Sequence, residues 1–269
     1  MKKVKIAVCA LAVLAAGALA CWKLRPSHQV VVKPTDNELK KDEAFPHNLW
    51  TQVLEKHGKN GFVNYKALKE DHAGLDAYLG YIAKFSPESR PEAFPKREDK
   101  LAYAINAYNA YVVKGVIDNY PCETVKSIGT IPFDFFKKFE YPFGGKSYTL
   151  EAWETKAREE FNEPRLHFAL NCASLGCPRL PSEAFDPAQL EEQLAREAKK
   201  FVTEERNVKV EGGKAKLSSI FKWYRGDFDK WLESKGKAKD LLVAIREFGG
   251  KAEGEIEFVP YDWGLNELK

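Results

Sequence analysis

The sequence predicts an α+β fold, a single mostly helical domain with a small antiparallel sheet. Three observations carry this. One long segment is helical in spacing and apolar on nearly every side, two pairs of short alternating runs flank Gly-Gly, and helical stretches outnumber strands.

The chain opens with MKKVKIAVCALAVLAAGALA, in which three lysines precede an apolar run and small residues sit at Ala18 and Ala20. This is the layout of a secretory signal peptide over residues 1–20. Cleavage after Ala20 would leave Cys21 first, as in a lipoprotein, although Ala18 and Leu19 reverse the usual lipobox order. Left uncleaved, the same run approaches the ~17 to 25 residues that span a bilayer and would serve as an anchor. Either route places the rest of the chain outside the cytoplasm, in the periplasm or on the cell envelope, touching membrane only through its leader or lipid. Residues 21–44 carry Pro26, Pro34 and mixed charge without apolar periodicity, which suits a tether. The remaining segment, 45–269, is long enough for one large domain and shows no internal repeat.

Within that domain, apolar spacing predicts helices over 49–54 and 73–85, with Gly58 and Gly61 between them. The segment 101–120, LAYAINAYNAYVVKGVIDNY, reads as a central buried helix stopped by Pro121. Residues 141–150 read as a hairpin around Gly144 and Gly145, after which Thr149 opens a helix through Phe161. An amphipathic helix over 187–202, a second hairpin over 207–217, two further helices and a strand at 255–259 complete the chain.

Charge excludes one class of partner. The whole chain has 42 basic and 39 acidic residues, and the leader holds three lysines and no acid. The rest is balanced, so no electrostatic drive toward a phosphate backbone exists and nucleic acid is not expected. No glycine-rich phosphate loop is present, and no cofactor is expected.

Chemistry concentrates in RLHFALNCASLGCP, where His167, Asn171, Cys172 and Cys177 fall between apolar neighbours. If 166–170 is a strand, a turn at Ser174 and Gly176 would fold Cys172 toward His167. A thiol beside an imidazole can exist as thiolate and imidazolium, the requirement for a cysteine nucleophile. The competing reading makes His167 a satisfied core residue and bridges Cys172 to Cys177, a spacing that permits a disulfide without requiring one. Glu154, on the preceding helix, is placed to orient the imidazole, or else to pair with Arg158 four residues on, for a few tenths of a kcal/mol. Asn106 and Asn109 share one face of the central helix. Buried amides need partners, so they brace either a site or a neighbouring loop. Zinc is not expected, because no fourth soft ligand accompanies His167, Cys172 and Cys177. Trp223 with Tyr224, and Tyr261 with Trp263, read as core anchors rather than a carbohydrate platform.

Five stretches in order, LAYAINAYNAYVV, YTLEAWETKAR, RLHFALNCASLGCPRL, LSSIFKWYRGDF and YDWGLN, resemble the family called domain of unknown function 547. The resemblance covers nearly all of the chain after about His47. It implies a bacterial envelope protein and emphasises Asn106, Asn109, Glu154, Arg165, His167, Cys172, Cys177 and Pro178, with Trp223, Asp227 and Phe228 beyond. Cys122 matches none of the family's motifs. The order acid, histidine, cysteine is also similar to thiol hydrolases of the papain and transglutaminase type, with the difference that the central helix here offers asparagine where those enzymes place the nucleophile.

Two functions stay open. One is a thiol-dependent hydrolase or acyltransferase acting on amide or ester bonds, with Cys172 attacking, His167 as base and Glu154 as orienter, supported by Asn106, Asn109, Arg165, Asn171 and Trp223. The other is a non-catalytic envelope binding or assembly module with a Cys172–Cys177 disulfide. A free, reactive Cys172 would separate them. The substrate or protein partner in the envelope is not written in the sequence.

Overall fold

The computed structural model describes residues 28–40 and 43–269. The leader, and the part of the expected tether before residue 28, lie outside the described residues. Helices dominate and the sheets are small, in agreement with the predicted α+β class.

The fold is organised by the buried helix, Arg97–Asp118. It begins four residues earlier than its apolar pattern, because the first turn is charged and exposed. Asp99 there accepts the Lys96 N–H at 2.8 Å. From Leu101 to Val113 every residue is buried. Small residues let neighbours approach closely: a side chain on Gly115 would collide with Phe135 and the Tyr141 hydroxyl. At its far end Asn119 donates to the Gly115 carbonyl at 2.8 Å.

In chain order the helices are α1 (Asn48–His57), α2 (Tyr65–Glu70), α3 (Ala73–Lys84), the central α4 (Arg97–Asp118), α5 (Asp134–Lys137) and α6 (Leu150–Phe161). They and the first sheet surround α4. That sheet has the order β1 (His28–Gln29), β4 (Phe139–Phe143), β5 (Lys146–Thr149). A separate short hairpin pairs β2 (Gly58–Lys59) with β3 (Phe62–Val63). Thr149 closes β5 and caps α6, its hydroxyl accepting from Ala152 N–H. Trp153 then fixes α6 to the central helix, its indole N–H donating to the Ala104 carbonyl at 3.1 Å while its ring stacks on Phe143 at 3.9 Å.

A second core follows, built by α7 (Leu190–Thr203), β6 (Val208–Glu211), β7 (Lys214–Ser218), α8 (Ser219–Trp223), α9 (Arg225–Ser234), α10 (Leu241–Glu247) and β8 (Glu255–Val259). Both predicted hairpins are antiparallel pairs, whereas β8 joins β7 in parallel. The sheets are therefore not wholly antiparallel, since β1 also runs parallel to β4.

Three expectations change. Residues 28–40, read as tether, form a strap: β1 pairs with β4, Thr35 N–H donates to the Gly80 carbonyl at 3.0 Å, and Leu39 is buried. Isolated apolar anchors on extended chain give no helical or strand period to read. The helix expected from 187 starts at Leu190, because Asp186 accepts the Ala188 N–H and holds a turn ahead of it. Residues Pro164–Phe168 form a 3-10 helix, not a strand. Pro164 fixes φ at its first turn, and the Glu163 carboxylate accepts the Arg165 N–H at 3.1 Å.

That short helix lies at the seam of the two cores. Leu166, Ala169 and Leu170 belong to the first, while Phe168 enters the second among Phe201, Phe228 and Phe248. Truncating Phe168 to alanine removes the pin between them, at a cost of about 3–5 kcal/mol.

Candidate functional site

Two asparagines hold the chain after the seam. Asn109, projecting from the central helix, donates to the Ala169 carbonyl at 2.9 Å and accepts the Asn171 N–H at 2.8 Å. Asn171 in turn accepts the Ala173 N–H at 2.9 Å and donates to the Pro178 carbonyl at 2.7 Å. These bonds stabilise a left-handed backbone at Ala173, with φ of 62°, an uncommon conformation for alanine. The loop so formed brings the Cα atoms of Cys172 and Cys177 to 6.1 Å, within bridging range, and the two are joined as a disulfide.

His167 is buried beside this loop, with Nε2 2.8 Å from Asp227 Oδ2. The same oxygen accepts from Arg158 Nε at 2.7 Å. The imidazole stacks on Tyr224 at 3.9 Å, and the Tyr224 hydroxyl donates to Glu154 Oε1 at 2.6 Å. Burial pulls the His167 pKa below the ordinary histidine value, against the opposing pull of Asp227 and Glu154. Burial works to raise Asp227, but the bonds from His167 and Arg158 outweigh it and hold the carboxyl well below its usual range. At neutral pH the ring is therefore neutral and donates Nε2–H to an ionised Asp227. Tyr224 is pushed above the ordinary tyrosine value by burial and by Glu154, so it remains a donor.

His167, Arg158, Tyr224 and Glu154 line a cavity of about 630 Å³ that also receives the disulfide and a wall of rings. Tyr261 and Trp263, two residues apart just after β8, have centroids 4.6 Å apart, and Trp223 lies 4.8 Å from Tyr261. Phe133 extends the wall, 5.0 Å from Trp263, from a backbone with φ of 72°. A bulky residue at positive φ costs about 1–3 kcal/mol, so the protein stabilises this ring position elsewhere. Trp223 is 49% exposed and departs from the reading of these aromatics as core anchors, whereas Tyr224 and Tyr261 pack against the second core and Trp263 against the first.

The cavity sorts the predicted residues. His167, Cys172, Glu154 and Trp223 come together in it. The sulfur of Cys172 is bonded to Cys177, so it offers no thiol in this state. Glu154 accepts from the Tyr224 hydroxyl, and Asp227, not Glu154, takes hydrogen bonds from both His167 and Arg158. Arg165 points to Glu163 and Glu191, with Nη2 2.7 and 2.9 Å from their carboxylates, and does not line the cavity. Asn106 is also elsewhere, exchanging two bonds with the Phe185 backbone. Asn109 and Asn171 brace the loop from beneath.

Asp227 is the residue that spacing missed. It lies sixty residues from His167, in the first turn of α9, and only the family resemblance drew attention to it. Tyr261 carried a fainter signal, an aromatic pair at the two-residue spacing of extended chain. Among the described residues no three His, Cys, Asp or Glu side chains are placed to hold a metal ion.

The central helix, α6 and the disulfide loop, the parts that build this floor, fall within the residues that match a known family. Residues 92–202 match the family described as protein of unknown function, DUF547. The DUF547 resemblance thus includes His167, Arg158, Glu154 and both cysteines, while Asp227 and most of the aromatic wall lie beyond the matched residues. No curated protein and no solved structure matches the chain. The likeness to papain and transglutaminase enzymes finds no support, since Cys172 is bonded to Cys177 and no solved structure matches the chain.

Proposed function

We propose that this chain is an exported envelope protein whose domain binds a ligand, rather than a thiol hydrolase or acyltransferase. The observation that carries the reading is the exposed Trp223 platform in the same cavity as Glu154, Arg158 and His167. A ligand with one flat apolar face and a hydroxyl-bearing edge fits such a cavity, the face stacking on the rings and the edge meeting the charged and imidazole groups. A saccharide of the envelope has that chemistry. The thiol reading loses its support with the sulfur of Cys172 engaged. Export rests on the lysine-led apolar leader ahead of residue 21.

Titrating the folded protein with chitotetraose while following tryptophan emission tests the binding. Saturable change in the native protein and none in Trp223→Ala is the expected result. No change, or an equal change in the variant, would overturn the saccharide reading. Export is tested by the intact mass of the envelope-extracted product, expected to begin near Cys21. A cytoplasmic product retaining Met1 counts against it.

A further inference from the structure

The disulfide is built asymmetrically. Both cysteines line the cavity, but Cys172 is partly exposed whereas Cys177 is 4% exposed. The Cys177 sulfur already accepts two hydrogen bonds, from the Cys172 N–H at 2.8 Å and from the Tyr261 hydroxyl at 3.0 Å. The same hydroxyl lies 3.0 Å from the Cys172 sulfur, so it sits against both ends of the bond.

Thiol–disulfide exchange makes opposite demands on the two sulfurs. The one attacked must be reachable, and the one expelled must carry negative charge as the bond breaks. Here both cysteines line a cavity of about 630 Å³, but Cys172 is the more exposed, and only the Cys177 sulfur receives the Cys172 N–H in addition to the Tyr261 hydroxyl that lies 3.0 Å from each sulfur. Donors fixed in advance stabilise a developing anion without reorganising, and a bond to an ionised acceptor is stronger than one to a neutral acceptor.

We propose that Cys172–Cys177 is an exchange-active disulfide whose substrate is a thiol, either a small thiol or a cysteine on an exposed peptide. The incoming thiolate attacks Cys172 Sγ and forms a mixed disulfide. The Cys172–Cys177 bond breaks, its electron pair leaves on Cys177 Sγ, and that thiolate is held by the Cys172 N–H and Tyr261 until it takes a proton. A second thiolate attacks the mixed disulfide at the sulfur of the first thiol, releasing Cys172 as thiolate. Two substrate thiols are oxidised to one disulfide and the protein disulfide is reduced to two thiols. The inference rests on the sulfurs and their donors, and holds whatever ligand the cavity takes.

The test uses the full, folded chain with its disulfide formed. Incubation with reduced glutathione at neutral pH, acid quench, alkylation and peptide mapping should find glutathione on Cys172 and the alkyl group on Cys177. Glutathione on Cys177, or no reaction until denaturant opens the fold, would overturn the proposal. Tyr261→Phe keeps the ring and removes the donor, and should slow native-state reduction by about tenfold, the scale of one hydrogen bond to a partly developed charge. An unchanged rate in a folded variant removes Tyr261 from the assignment. If that variant does not fold, the mapping on the native protein decides alone.

Discussion

His47 and His167 are buried to nearly the same depth, 7% and 5% exposed, in surroundings that share an ingredient list of tyrosine and ring contacts. At His47, Nδ1 meets the Tyr78 hydroxyl at 2.8 Å and the Asn106 amide at 3.1 Å, with no carboxylate bonded to it among the described residues. Burial alone then drives its pKa down to about 3. At His167 the same desolvation is opposed by Asp227 and Glu154, and the ring lines a cavity. Depth silences a histidine. A carboxylate and an opening are what make one available to a ligand.

The largest way to break the comparison is to empty the first region. Asn106→Leu leaves the Phe185 N–H and carbonyl without partners and should cost about 2–6 kcal/mol, at about 1–3 per buried group. Thermal unfolding would show it, while His167 and any cavity ligand should be unaffected. An unchanged melting temperature would contradict the role given to Asn106.

Acid sharpens the contrast next. Between about pH 6.5 and 3 the unfolded chain protonates His47 and the folded chain does not, so the unfolded state binds more protons and stability falls as pH falls. The loss from this ring is on the order of 2–3 kcal/mol by about pH 4.5. Asp227, held low in the fold, loses its contribution in the same direction, so a His47→Gln control isolates the histidine. Urea midpoints at two pH values measure it, and equal acid sensitivity in the control would refute the assignment to His47.

Asp227→Asn strikes the second region more lightly, because its carboxylate and Arg158 are partly solvated. We expect a loss of about 1–3 kcal/mol and a His167 pKa lower still, read by NMR of the ring. A His167 pKa that rises would show that Asp227 does not stabilise the protonated ring. Trp223→Ala should change stability least, within about 0.5 kcal/mol, as expected for an exposed side chain. A larger loss would return Trp223 to the core.

Much of the fold was legible because its signals are local. Gly144–Gly145 and Gly212–Gly213 mark their hairpins, Thr149 marks a helix start, and the all-round apolar segment marks the central helix. The predicted burial of Asn106 and Asn109 followed from a helix with little polar face, and both are buried. The site was legible only as a neighbourhood. Which carboxylate reaches His167 depends on how α9 docks across the seam, and nothing in the spacing of Glu154 or Asp227 encodes that docking. The exposure of Trp223 was equally hidden, since a tryptophan reads the same in sequence on a core wall or a cavity wall. The strap escaped notice because one buried Leu39 makes no period.

That strap has a mechanical consequence. His28 N–H donates to the Lys138 carbonyl at 2.8 Å and Val30 N–H to that of Glu140 at 2.9 Å, in a parallel register. Tension applied to the amino end along the strand loads these bonds together in shear instead of peeling them singly. The load passes into β4, around its hairpin to Thr149, and into the helix that carries Glu154 and Arg158. The strap is thus joined to the polar groups of the cavity by one hairpin and two turns of helix.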